Sequence, residues 1–164
     1  MRKKLSEDLV FYFDPLYPKN FSKYTNGEIA ILGIGGNLGN VRRRFRKLAI
    51  YLASHPHVRL LRTAPVLKNP PFGYFDQPDF YNSVIIVQTS FSPRELLHFC
   101  LQTEKRFRRK RSFKNAPRTL DIDILFYGKK RVDQKDLTIP HPHWSERDSV
   151  QLPLQYLLEG LCGL

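Results

Sequence analysis

"APRTLDIDILFYG", residues 116–128, sets two aspartates, Asp121 and Asp123, one residue apart in an otherwise apolar run. The run reads as a core strand, rich in Ile, Leu and aromatic side chains and bounded by Pro117 and Gly128. Strand side chains alternate, so Asp121, Asp123 and Leu125 share one face while Ile122, Ile124 and Phe126 take the other. At roughly 3.3 Å of rise per residue the two carboxylates stand about 6 to 7 Å apart. That spacing lets each hold a metal, or lets both converge on one. Hard carboxylate oxygens suit Mg²⁺ rather than zinc. The plain alternative is a structural ion pair with the nearby Arg118.

The stretch just upstream sharpens the choice. "RFRRKRSFKNAPR", residues 106–118, gathers Arg106, Arg108, Arg109, Lys110, Arg111, Lys114 and Arg118 in a segment without helical or strand period. Guanidinium forks match phosphate oxygens, and a loop can close them over a ligand. Carboxylates for a metal beside arginines for phosphates together suit a Mg-nucleotide.

The whole chain agrees with an anionic partner. Its 164 residues carry 27 Lys+Arg against 15 Asp+Glu, a formal charge of +12, which suits nucleic acid, a membrane surface or a phosphate-rich small molecule. A hydrophobic fraction of 41% makes the chain globular rather than disordered, at the size of one domain. Cys100 and Cys162 show no CxxC spacing, so neither a disulfide framework nor a zinc site is indicated. Glu7, Asp8 and Asp14 interrupt any signal-peptide core, and no apolar run reaches membrane-spanning length. The expectation is a cytoplasmic protein with no membrane partner.

Residues 1–27 have no clear period and read as an extension that packs on the domain or is partly mobile; 28–164 form the domain. "EIAILGI" (28–34) is a buried strand, followed by a tight loop "GGNLGN". Asn40 can cap a helix whose apolar positions are Val41, Phe45, Leu48 and Leu52. "HVRLLRTAPVL" (57–67) and "FYNSVIIVQT" (80–89) are further strands, separated by Pro70, Pro71, Gly73 and Pro78. Ser92, Pro93 and Glu95 spell a helix start with a capping box, the helix running to about Arg106 and burying Leu97, Cys100 and Leu101. The tail suggests short helices. Strand, helix, strand, strand, helix, strand suits an α+β sandwich, an antiparallel sheet with helices on one side.

Two other signals carry less. "GIGGNLG" lacks the Lys-Ser/Thr ending of a P-loop, and Leu38 stands where a Rossmann fingerprint needs Gly, so Gly35, Gly36 and Asn37 read as turn residues. "HPH" occurs at 55–57 and 141–143, and each copy reads as a Pro-stiffened turn.

Taken together, "ILGIGGNLGN", "NPPFGYFDQPDFYNSV", "PRTLDIDILFYG" and "LTIPHPHWSERDSVQLPL" resemble, in order and spacing, the 6-hydroxymethyl-7,8-dihydropterin pyrophosphokinase family of folate synthesis. The resemblance covers about 29–158. It implies a ferredoxin-like fold and transfer of pyrophosphate from ATP to 6-hydroxymethyl-7,8-dihydropterin, with release of AMP. It also implies two Mg²⁺ ions held by Asp121 and Asp123, with Arg109 and Arg118 gripping phosphates. Arg111, Thr138, His141 and Arg147 match nucleotide-contacting positions. Pro70, Pro71, Phe72 and Gly73 match the loop beside the pterin, Phe80 an aromatic stacking on its ring, and Asn82 the amide reading its polar edge. Ser149 departs from the pattern, standing where a second aromatic sandwiches the pterin; Phe113 or Trp144 could supply a ring. Asn115, Pro142 and Leu101 also depart from common residues. A monofunctional monomer is expected. The rival reading is a basic RNA-binding ferredoxin-like module without catalysis. It lacks the aromatic-rich RNP1 string, and two sheet aspartates would repel a phosphate backbone.

Overall fold

The structure, a computed structural model, describes residues 1–110 and 112–162, with side chains described as far as residue 159. In chain order the elements are β1 (Arg2–Lys4), β2 (Val10–Tyr12), β3 (Lys19–Asn20), β4 (Glu28–Gly36), α1 (Val41–Ala53), β5 (Val58–Thr63), β6 (Val66–Asn69), β7 (Phe80–Thr89), α2 (Pro93–Arg106), β8 (Asp121–Tyr127), β9 (Val132–Gln134), β10 (Leu137–Ile139) and α3 (Asp148–Cys162). Among the described residues, eight strands make one antiparallel sheet whose centre runs β8–β4–β7, with β5 and β6 both paired to β7. The sheet and its helices form the α+β arrangement expected from the order of elements, consistent with the ferredoxin-like fold that the resemblance implies. No helix among the described residues is long and apolar enough to cross a membrane.

Local chemistry explains the helix starts. The Asn40 side chain accepts from the Arg43 N–H, and Ser92 and Glu95 form the reciprocal capping box with Pro93 in the first turn. Val41, Phe45, Leu48 and Leu52 of α1 are buried against Ala30, Leu32 and Ile34 of β4. On α2 the inward residues are Leu96, Cys100, Thr103 and Glu104. Leu97 and Leu101, expected inside, are only half-buried, because the buried face of α2 is centred one position away from them.

The helices do not all lie on one side, as the sequence had suggested. α1 and α2 cover one face, whereas Leu154 and Leu157 of α3 pack with Val84, Ile86 and Leu125 in a second cluster on the other. The tail forms one 15-residue helix rather than several, with Pro153 inside it, preceded by a short 3₁₀ turn at Trp144–Glu146. The β9–β10 hairpin was also not foreseen.

Three irregularities shape the sheet. The second expected strand is split at Ala64–Pro65, since proline cannot donate to the ladder. The Ser83 hydroxyl fills the gap, lying 3.1 Å from both the Ala64 and Pro65 carbonyls. β8 bulges opposite the Ile31/Leu32 step, which inserts Leu125 and shifts the alternation. Phe126 therefore packs with Leu125 beside Trp144, while Tyr127 rejoins Ile122 and Ile124 in the main core. Finally, Gly35 and Gly36, read as turn residues, continue β4 opposite Asn82 and Tyr81. A Cβ on Gly36 would lie 2.5 Å from the Thr119 carbonyl, so only glycine lets the chain before β8 approach this closely.

The N-terminal extension is part of the sheet. β2 pairs with β6, β1 adds to β2, and β3 pairs with β5. Tyr17 is fully buried and donates its hydroxyl to the Phe45 carbonyl of α1 at 2.7 Å. Asp14 sits 3.5 Å from Arg46 and 3.9 Å from Arg42 of the same helix. Tyr17→Ala should therefore cost about 3 to 5 kcal/mol, the range for truncating a buried aromatic. Urea unfolding measures this; a loss near zero would mean the extension contributes nothing to the fold.

Candidate active site

β8 delivers both aspartates to a cavity of about 400 Å³, lined by Arg109, Arg118, Asp121, Asp123, His141 and Arg147 together with Lys110 and residues 112–117. Six of the expected site residues thus converge. The loop between α2 and β8 supplies two of them. Arg109 reaches back under the loop, its Nη1 at 2.9 Å from Glu104 Oε1 and 2.8 Å from Asp121 Oδ1. Arg118 donates its Nε to the Ala116 carbonyl at 2.9 Å and holds Nη1 at 3.6 Å from Asp121 Oδ2. The structural ion pair weighed from sequence is therefore present, though its main partner is Arg109 rather than Arg118.

Asp123 is different. Among the described residues no side chain bonds its carboxyl. Burial pushes that carboxyl up, to about 7; the Asp121 and Glu104 carboxylates add to the rise, while Arg147 and Arg109 oppose it. A divalent cation would relieve this strain, and the donors are hard oxygens. Among the described residues no group of three His, Cys, Asp or Glu side chains is placed to hold a metal. Mg²⁺ needs only one or two protein carboxylates, taking the rest of its shell from water and substrate phosphate, so the pair fits it.

The rest of the wall is cationic or neutral. Burial holds the His141 imidazole below its usual range, helped by Arg147 and His143, with Asp121 pulling the other way. Its Nδ1 accepts from the His143 N–H at 3.2 Å, the turn expected for the second HPH. The first HPH repeats that turn at His55, remote from this cavity. Thr138 lies exposed on β10, paired with Asp133 and outside the cavity lining. Arg111 lies outside the described residues.

The expected pterin residues flank the cavity without lining it. Phe80 lies under Arg118, ring centroid to guanidinium 5.5 Å, and Phe72 lies under Arg147 at 4.9 Å. Asn82 Nδ2 donates to Asn69 Oδ1 at 2.7 Å, fixing the amide at the end of β6. Pro70, Pro71, Phe72 and Gly73 form the loop after β6, and Gly73, at φ +82, turns beside Asn115. Gln77 ties this loop to the arginine loop by donating to the Asn115 carbonyl at 2.9 Å. Of the two candidate replacement rings, Trp144 packs edge-on against Phe126 at 5.0 Å, whereas Phe113 is 56% exposed, lines the cavity and meets Tyr74 at 5.1 Å.

Two residues were missed by sequence reasoning. Glu104 is 3% exposed; besides gripping Arg109, its Oε2 accepts the Ile122 N–H at 3.0 Å. Its signal was an acid one turn after Cys100 on the apolar stripe of α2. Asn37, read as a turn residue, is buried and joins three segments: Oδ1 accepts the Arg118 N–H at 2.9 Å while Nδ2 donates to Gln77 Oε1 and the Pro78 carbonyl, each at 2.9 Å. Its role depends on loops distant in sequence, so no local pattern announced it.

The Asp123 carboxyl predicts a pH dependence. Its folded value of about 7 lies above the unfolded value near 3.9, so between these the native state holds a proton the unfolded chain has released. Metal-free protein should lose stability as pH rises from about 4 through about 7, because the unfolded state binds fewer protons. Asp123→Asn should remove that part of the slope. Urea unfolding with chelator at about pH 5 and about pH 8 checks it; equal slopes in both proteins would contradict the assignment.

Comparison with known proteins adds the relationship. Residues 31–159 match the family model described as 7,8-dihydro-6-hydroxymethylpterin-pyrophosphokinase. A 2-amino-4-hydroxy-6-hydroxymethyldihydropteridine pyrophosphokinase of Helicobacter pylori is 43% identical over 145 residues, 87% of each chain. One of Campylobacter jejuni is 39% identical over 142 residues, 87% of this chain and 89% of that one. The mitochondrial folate synthesis bifunctional protein of Pisum sativum is 35% identical over 134 residues, 82% of this chain but 26% of that longer one. These matches give no support to the RNA-binding reading.

Proposed function

The chain belongs to the 7,8-dihydro-6-hydroxymethylpterin-pyrophosphokinase family and is an ATP-dependent pyrophosphokinase of folate biosynthesis; from this premise we propose how its residues divide the work. The pterin hydroxymethyl oxygen bonds to the β-phosphorus of ATP as the bond from that phosphorus to the α-phosphate oxygen breaks. AMP leaves, and the hydroxyl proton is lost. No covalent enzyme intermediate is needed, so the protein's contribution is positioning and charge neutralisation.

Asp121 and Asp123 would hold the Mg²⁺, two ions in our reading, which when bound neutralise phosphate charge and polarise the transferring group. The observation that carries this assignment is the Asp123 carboxyl, enclosed beside two other acids without a partner among the described residues. Arg118 and Arg109 present guanidinium forks to the phosphate oxygens. Arg147 and His141 line the same cavity and hold the nucleotide, with Thr138 on the adjoining hairpin and Arg111 completing the set. A neutral His141 donates or accepts a hydrogen bond without adding charge. Phe80 stacks on the pterin ring, Asn82 reads its amide edge, and Pro70, Pro71, Phe72 and Gly73 close over it. Phe113 supplies the second ring that Ser149 lacks. We read the protein as a cytoplasmic monomer, acting on small water-soluble substrates.

With Mg²⁺, ATP and the dihydropterin alcohol, the purified protein should release AMP and no ADP. ADP as product, or no turnover, overturns the reading. Asp123→Ala should lower kcat by at least about 10²- to 10³-fold, the scale for removing one preorganised electrostatic group, with an unchanged circular dichroism spectrum. Retained turnover would mean that the metal is held elsewhere.

A further inference from the structure

α1 breaks a local rule. Arg42, Arg43 and Arg44 fill its first turn and no acid is present there, although the positive end of the helix dipole disfavours cations. Arg43 and Lys47, both exposed, repeat the conflict as a like-charged pair one turn apart. Arg42 is compensated by Asp14, as is Arg46 in the next turn. Among the described residues no carboxylate pairs with Arg43, Arg44, Lys47 or Arg108. Local choices that oppose the fold without compensation tend to mark function.

These cations face one another. Arg43, Arg44 and Lys47 of α1 line a groove of about 450 Å³ with Arg106 and Arg108 from the end of α2, and among the described residues no acid contributes to its wall. Arg44 is anchored, its Nη1 donating to the Leu38 and Thr119 carbonyls at 2.8 Å each, and Arg106 rests on the Tyr51 ring at 4.6 Å. Thr119 closes the groove, and among the described residues its buried hydroxyl oxygen has no hydrogen-bond partner. The groove is not an arm of the aspartate cavity. The two share a wall, with Arg109 and Arg118 in the cavity and their neighbours Arg108 and Thr119 in the groove.

We propose that this groove is a second anion site, which takes a diphosphate or triphosphate group without a divalent cation. Five basic side chains neutralise such a group directly, and among the described residues the wall offers no carboxylate to hold a divalent cation. The volume falls in the range of small-molecule sites, roughly 300 to 1,000 Å³. Phe107, the one ring in the wall, packs against the hydrophobic core, so phosphates rather than a base are recognised. Inorganic polyphosphate and the phosphate tail of a nucleotide offer the same chemistry.

The test is calorimetric titration of the full chain, in chelator, with inorganic triphosphate and separately with ATP. Wild type should bind one equivalent of triphosphate. Arg43→Ala combined with Lys47→Ala should weaken binding by at least about tenfold, while the charge-preserving Arg43→Lys should stay within about threefold. Arg118→Ala, in the aspartate cavity, should leave this binding unchanged. Equal affinity for triphosphate and ATP would mean that only phosphates are read; tighter ATP would make the nucleotide the occupant. Loss of binding in Arg118→Ala but not in the double variant overturns the proposal, as does the absence of saturable binding to wild type below about 1 mM. Because Arg43 and Lys47 are exposed, the double variant should keep its fold and its Mg-dependent turnover.

Discussion

Three carboxylates crowd the junction of α2 and β8, and the repulsion that two of them exert on the third, Asp123, sets the character of the site. Asp121 and Glu104 raise the cost of ionising Asp123, and burial removes the water that would soften it. The Arg109 guanidinium bridges Glu104 and Asp121, and that of Arg118 stands 3.6 Å from Asp121, so part of this charge is balanced. Asp123 is left with the remainder. A protein seeking only stability would place apolar groups here, since buried ion pairs often gain little over a packed hydrocarbon. Here the arrangement leaves negative potential facing a cavity whose other walls are cationic, which suits a metal-bound polyphosphate.

The sheet makes that crowding possible. β8 lies beside β4, and the glycines at the end of β4 let the segment before Asp121 press against the strand. Asn37 then holds the start of that segment by two main-chain bonds to Arg118, each 2.9 Å, one through its side chain and one through its own N–H. The same amide reaches the Gln77–Pro78 turn, so the loop after β6 and the loop before β8 are referenced to one buried side chain. A shared anchor of this kind keeps the separation of the two loops constant. The extension adds support from behind, since β2 completes the hydrogen bonding of β6, the strand that ends at Asn69.

What the sequence disclosed was what local spacing controls. The alternation around Asp121 and Asp123, the caps at Asn40 and Ser92, and the inward stripe of α1 each depend on neighbours a few residues away, and each appears in the structure. What escaped depends on distant partners. The bulge at Leu125 arises from pairing with Ile31 and Leu32 nearly a hundred residues earlier, and it redirects Phe126 without any mark in the local pattern. Gly35 and Gly36 looked like turn residues because glycine is common in turns; their actual cause is the approach of the Thr119 carbonyl and the Asn82 side chain. The extension lacked a period because its strands are two or three residues long, too short to show one. Six of the residues that line the cavity were nameable in advance, while Glu104 and Asn37, which fix Arg109 and the Arg118 main chain, were not.

That difference has a physical reason, visible at Arg109. Residues that meet substrate must be of particular chemical types, and type is written in the sequence. Residues that aim them need only geometry. Arg109 Nη1 has two charged acceptors, Asp121 on β8 and Glu104 on α2. If Asp121 were its only partner, whatever else engaged that carboxylate would also release the arginine. Glu104 belongs to a different element and is itself fixed by the Ile122 N–H, so Arg109 keeps an anchor when the Asp121 carboxylate is engaged elsewhere. The buried acid on α2 therefore separates two tasks that a single ion pair would have coupled, holding the cation in place and leaving the strand carboxylate available to a ligand.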